Sequence, residues 1–115
     1  VQTTGEFNYQ FDDDATRDQA MAAVVDHFHN EGATATTVAQ EGIDLGGAML
    51  RRGVSMDAFS VKLETGWYSG FLRAATNEKS IVRSYFSSAD AAQLARIEAD
   101  VRRILAQQFA GTVVD

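Results

Sequence analysis

Residues 87–111 read SSADAAQLARIEADVRRILAQQFAG, and the spacing within them decides the architecture. Leu94, Ile97, Val101, Ile104, Leu105 and Phe109 recur at the three- and four-residue steps that gather apolar side chains into one stripe of an α-helix. Ser87, Ser88 and Asp90 offer side-chain oxygens to the unpaired N–H groups of a first turn, and Gly111 ends the pattern. Arg96, Glu98, Asp100, Arg102 and Arg103 fill much of the remaining circumference, so this helix has one face for a core and the rest for water. A single stripe requires a layer to pack against.

That layer is sought upstream. Glu6-Phe7-Asn8-Tyr9-Gln10-Phe11 alternates polar and aromatic residues, which places Phe7, Tyr9 and Phe11 on one face of a half-buried strand. After Asp12-Asp13-Asp14, the spacing of Met21, Val24, Val25 and Phe28 predicts a first helix from about Ala15 to Asn30. Asp14 or Thr16 is suited to cap it, and Gly32 to stop it. From Ala33 to Ser87 the chain becomes rich in Thr, Val, Ile, Phe and Tyr, broken by turn-like pieces at residues 40–42, 51–53, 64–66 and 76–79. This predicts a meander with strands at about 33–39, 43–51, 54–64, 68–75 and 80–87. In the third of these, Phe59, Val61 and Leu63 alternate with Ser60, Lys62 and Glu64.

The expected fold is therefore a single α+β domain over residues 1–115, ordered β-α-β-β-β-β-β-α. It is a two-layer sandwich with both helices on one face of an antiparallel sheet. In its order of elements this plan resembles the helix-grip arrangement of the Bet v 1 and START-like folds. That resemblance implies a curved sheet wrapped round a long last helix, with a ligand cavity between them. The chain is short for that group and has one early helix where the group has two.

Composition narrows the function classes. With no cysteine, the chain has no disulfide, thiolate metal site or cysteine nucleophile. No apolar stretch approaches the roughly 20 residues of a membrane helix, so no membrane span is expected. The chain opens at Val1, as a processed product or a trimmed piece would, and its compartment is left open. Net charge is −6, concentrated early: residues 1–50 carry nine acids against one base, and residues 51–115 carry seven acids against nine bases. Phosphate binding needs clustered cations, so the first half is not expected to bind nucleic acid; a basic protein surface suits it better.

Among candidate sites, His27 and His29 flank Phe28. Residues two apart on a helix point about 200° away from each other and do not share one metal, so both are expected as surface histidines. Asp12-Asp13-Asp14 lacks the spacing of a calcium loop and reads as helix-end stabilisation. Gly42-Ile43-Asp44-Leu45-Gly46-Gly47 opens no helix and lacks the Lys-Ser/Thr ending of a phosphate loop; a bulge or tight bend fits it. No cofactor or catalytic constellation is legible, and an enzyme is the least favoured class.

Gly66-Trp67-Tyr68-Ser69-Gly70-Phe71 sets three large rings beside flexible backbone, as binding anchors are set. The plainer reading makes Trp67 and Phe71 core residues on one strand face beneath a helix. Two functions follow. The first is a binding domain holding a small apolar molecule between the sheet and the C-terminal helix, with Phe59, Trp67, Tyr68, Phe71 and Tyr85 as contact residues and Phe7 and Leu105 beside them. The second is an interaction module, such as an inhibitor, an immunity-type or adaptor protein or a self-associating subunit, that meets a basic partner surface.

Overall fold

A computed structural model describes residues 3–37, 58–75 and 78–114. Its elements are β1 (Thr3–Gln10), α1 (Asp14–Asn30), β2 (Thr34–Thr37), β3 (Ala58–Glu64), β4 (Tyr68–Ala75), β5 (Ile81–Ser88), α2 (Ala91–Arg102) and β6 (Thr112–Val114). Beyond Arg102, α2 continues as a wider π-helical turn, Arg103–Gln108. The six strands form one antiparallel sheet in the order β2-β3-β4-β5-β1-β6. The expected strand at 43–51, the end of the one at 33–39, the start of the one at 54–64, the glycine-rich run at 42–47 and the turn-like pieces at 40–42 and 51–53 lie outside the described residues.

Helix α1 starts one residue earlier than expected, because the cap is Asp13 rather than Asp14 or Thr16. Asp13 has extended backbone geometry, and its Oδ1 accepts from the Thr16 N–H at 2.7 Å. The Thr16 backbone and side-chain hydrogen bonds favour the charged carboxylate and hold Asp13 below its ordinary value of 3.8. Asp14 is used elsewhere: its Oδ1 accepts from Ser80 Oγ at 2.7 Å, and Ser80 O accepts from the Phe11 N–H at 2.9 Å. These two bonds tie the loop before β5 to the start of α1. At the far end Gly32 takes a φ of +104°, open to glycine at no steric cost, and the Ala33 N–H turns back to Phe28 O at 2.9 Å.

Strand parity sorts the sheet. Tyr9 on β1, Val61 and Leu63 on β3, Tyr68, Leu72 and Ala74 on β4, and Val82 and Phe86 on β5 are buried in one cluster with Ala20, Met21, Val24 and Phe28 of α1 and Ile97, Val101, Ile104 and Leu105 of the last helix. Both helices therefore cover the same face. In the middle of this layer the Phe86 ring lies 5.4 Å from Phe28, 6.2 Å from Tyr68 and 6.3 Å from Phe7, centroid to centroid. Gly70 is its register partner on β4, and a side chain there would overlap the Phe86 ring. The absent Cβ makes room for the ring.

Two findings depart from the sequence reading. Strand β6 was not expected: after Gly111 the chain turns and pairs Thr112, Val113 and Val114 with Gln10, Tyr9 and Asn8. Trp67 and Phe71 are not core residues beneath a helix. Trp67 sits in the turn before β4, and β4 turns Tyr68, Gly70, Leu72 and Ala74 toward the helices, which leaves Phe71 on the other face.

The close approach at Gly70 makes a direct test. Gly70→Ala is expected to lower unfolding free energy in urea by about 1–3 kcal/mol through overpacking. Gly66→Ala, whose added methyl meets nothing within 4 Å, is expected to stay within about 0.5 kcal/mol of the parent. Equal stabilities for the two variants would contradict the packing described.

Candidate functional site

The turn joining β3 to β4 is fixed by one threonine. Thr65 Oγ1 accepts from the Trp67 N–H at 2.9 Å and from the Tyr68 N–H at 3.1 Å, while the Thr65 N–H donates to Tyr68 O at 2.9 Å. On the neighbouring strand, Ser88 Oγ donates to Trp67 O at 3.1 Å and accepts from the Asp90 N–H at 3.1 Å, linking this turn to the start of α2. The result is an ordered backbone carrying an indole that is 80% exposed. Large exposed aromatics on fixed backbone are costly to hydrate and are the usual anchors of recognition surfaces.

Beside that indole runs a groove of about 680 Å³ lined by Glu31, Gly32, Thr34, Glu64, Thr65, Gly66, Trp67, Tyr68 and Gln93. Its walls come from the end of α1, the start of β2, the β3–β4 turn and the first turn of α2. Glu64 is partly balanced by Lys62 Nζ at 3.5 Å, an exposed pair of small energetic consequence. A smaller cleft of about 370 Å³ lies between β1, β6 and α2, lined by residues that include Phe7, Glu98, Arg102 and Val113.

The five residues expected as contacts do not meet in one place. Trp67 and Tyr68 line the groove. Phe71 and Tyr85 are register partners on the sheet face turned away from the helices, 42% and 46% exposed, with Lys62 opposite Phe71 on one side and Glu6 opposite Tyr85 on the other. They do not line the space between sheet and α2. Phe59 pairs with Ala74 in β3, and its side chain is outside the described residues. Leu105 is fully buried in the core rather than bordering a pocket wall.

Next to the groove is a cluster not foreseen in the sequence. His27 Nε2 lies 2.9 Å from Glu31 Oε1 and 3.1 Å from Asp100 Oδ2. His27 and Glu31 are a turn apart on one face of α1, a spacing visible in the sequence; Asp100 arrives from α2 and no local pattern announces it. The two histidines do point apart: His29 Nδ1 is instead 3.2 Å from its own loop's Ala33 O. Arg103 Nη2, 3.7 Å from Asp100 Oδ1, holds the second oxygen of that carboxylate.

Tyr68 stands between groove and cluster. Its ring packs edge-on to Phe28 at 5.8 Å, and its hydroxyl is buried without a hydrogen-bond partner among the described residues. Burial pushes its pKa up to about 12, with the nearby Glu31 and Asp100 charges adding to the effect. The folded value lies above the ordinary 10.0. This contribution to stability is therefore complete below pH 10 and is lost as pH rises toward 12.

Alkaline titration of phenolate absorbance is expected to show a component near pH 12 that Tyr68→Phe removes. At pH 7, Tyr68→Phe should leave stability within about 1 kcal/mol of the parent, since the hydroxyl it deletes has no partner. A titration unchanged by Tyr68→Phe would contradict the environment described. In comparison with known proteins, the chain matches no protein-family model, no curated protein and no solved structure.

Proposed function

We propose that this chain is a binding domain that recognises a basic protein surface through the groove beside Trp67. The reading is carried by one observation: an indole 80% exposed on a backbone pinned by Thr65 and Ser88, at the edge of a groove that contains two glutamates, Glu31 and Glu64. Tryptophan is the best aromatic partner for a guanidinium or ammonium group, and carboxylates at the rim add Coulombic attraction. Pinning the turn before binding lowers the entropy lost on association. The net charge of −6, with its acidic excess in residues 1–50, favours encounter with cationic partners over anionic ones.

A small apolar molecule held between sheet and α2 is the weaker reading. The facing residues Phe28, Phe86, Leu72, Ile97, Leu105 and Val101 are fully buried against one another, whereas the groove is open and carries acids.

The test is calorimetric titration with an arginine-rich peptide, a glutamate-rich peptide of equal length and an apolar dye. The basic peptide is expected to bind, more weakly at higher salt, with affinity reduced roughly tenfold or more by Trp67→Ala and less by Glu64→Gln. Trp67→Ala should change stability by no more than about 0.5 kcal/mol, because the ring is exposed. Binding of the dye alone, or basic-peptide binding indifferent to Trp67→Ala, would overturn the proposal.

A further inference from the structure

Two helices bring three metal-ligating atoms to one point. His27 Nε2, Glu31 Oε1 and a carboxylate oxygen of Asp100 all lie within 4.8 Å of one another. One imidazole edge faces two carboxylates; Asp100 also has Arg103 Nη2 at 3.7 Å, and the single N–H shared between the two acids leaves the Glu31 charge only partly answered. A divalent cation answers both. One imidazole nitrogen with two carboxylate oxygens is a donor set suited to zinc, whereas magnesium and calcium call for six or more oxygen ligands.

The two distances from His27 are close to those around a small ion, and the Glu31 and Asp100 oxygens, within 4.8 Å of each other, would draw together on binding. Tetrahedral zinc with bonds of about 2.0–2.1 Å keeps its donors roughly 3.3 Å apart. The His27 contacts of 2.9 Å to Glu31 and 3.1 Å to Asp100 would need to open by only a few tenths of an ångström. Asp100 is already oriented, with Oδ1 toward Arg103 and Oδ2 toward His27. His27 lies in the last turn of α1 and Glu31 is that helix's C-cap, four residues on, and Asp100 supplies the third ligand from the other helix.

An unpartnered polar group is packed beside the ligand-bearing segment: the Tyr68 ring lies edge-on to Phe28, the residue after His27. Tyr68 is 8% exposed, and its hydroxyl, close enough to Glu31 and Asp100 to feel their charges, has no hydrogen-bond partner among the described residues. Three protein ligands leave a fourth zinc position open to water, and such a water offers the acceptor that this phenol lacks.

We infer that His27, Glu31 and Asp100 form a binding site for a divalent zinc-class ion that ties α1 to α2, with Tyr68 donating a hydrogen bond to water in the open position. The site shares Glu31 and Tyr68 with the groove beside Trp67, but zinc uptake does not depend on the indole and peptide binding does not depend on His27 or Asp100, so failure of one is distinguishable from failure of the other.

The experiment is titration of the tag-free chain with zinc chloride, followed by calorimetry and thermal unfolding, with magnesium chloride as comparison. Expected are one zinc per chain, a melting temperature that climbs with zinc concentration and no response to magnesium. Asp100→Asn and His27→Gln are expected to weaken zinc binding at least tenfold, while His29→Gln and Trp67→Ala leave it unchanged. Glu31→Gln, at the exposed end of α1, carries the same test if either of the first two variants fails to fold. Absence of zinc uptake by the parent chain, or uptake unaltered by Glu31→Gln and Asp100→Asn, would overturn the site.

Discussion

Phe86 is the contact through which the two layers become one molecule. It projects from β5, between β4 and β1 in the sheet, and touches rings from three other elements: Phe7 on β1, Phe28 on α1 and Tyr68 on β4. Aromatic pairs at such separations add to the free energy of burial, and removing a ring of this size from a filled core costs about 3–5 kcal/mol. Gly70 opposite Phe86 is part of the same device, because the ring occupies the volume a side chain there would need. With Phe86 turned toward the helices, the two-residue period of the strands fixes every other side chain of the sheet. Phe71 and Tyr85 are then necessarily on the far side.

The same packing builds the candidate site. Phe28 lies in the last turn of α1 and Tyr68 is the first residue of β4, so their contact draws the end of that helix onto the β3–β4 turn. Each anchor has a chemically active neighbour. His27 precedes Phe28 and Glu31 follows it three residues on, and Trp67 precedes Tyr68. Burying Phe28 sets His27 against α2, where Asp100 meets it, and burying Tyr68 leaves the indole outside. Groove and histidine cluster are thus two consequences of one apolar contact, with the phenol of Tyr68 between them.

Much of this architecture was legible in sequence because it rests on local periodicity. The alternation of Phe7, Tyr9 and Phe11 marked β1, the stripe of Met21, Val24 and Phe28 marked α1, and that of Ile97, Val101 and Leu105 marked the last helix. The α+β class and the placement of both helices on one face followed from those stripes. What periodicity alone could not supply was parity around a turn. Trp67 and Phe71 have strand spacing, but Thr65 captures the backbone N–H groups of Trp67 and Tyr68 and keeps Trp67 out of the strand. Strand β6 is three residues long, too short for a pattern, and gains its place by pairing with β1. Asp100 stood among five charged residues on a helix surface, and its contact with His27, 73 residues away in the chain, has no local signature. The helix-grip arrangement suggested by element order is not confirmed, since a further strand, β6, follows the last helix.

Apolar and aromatic groups are gathered between sheet and helices while the chain's single tryptophan is left in water on a fixed turn. Acrylamide quenching of that tryptophan in the native protein, set against the same measurement in denaturant, tests this most directly. Nearly equal quenching and a water-like emission maximum in both states are predicted. A native emission shifted to the blue, with quenching several-fold weaker than in the unfolded chain, would show the indole buried and contradict the account.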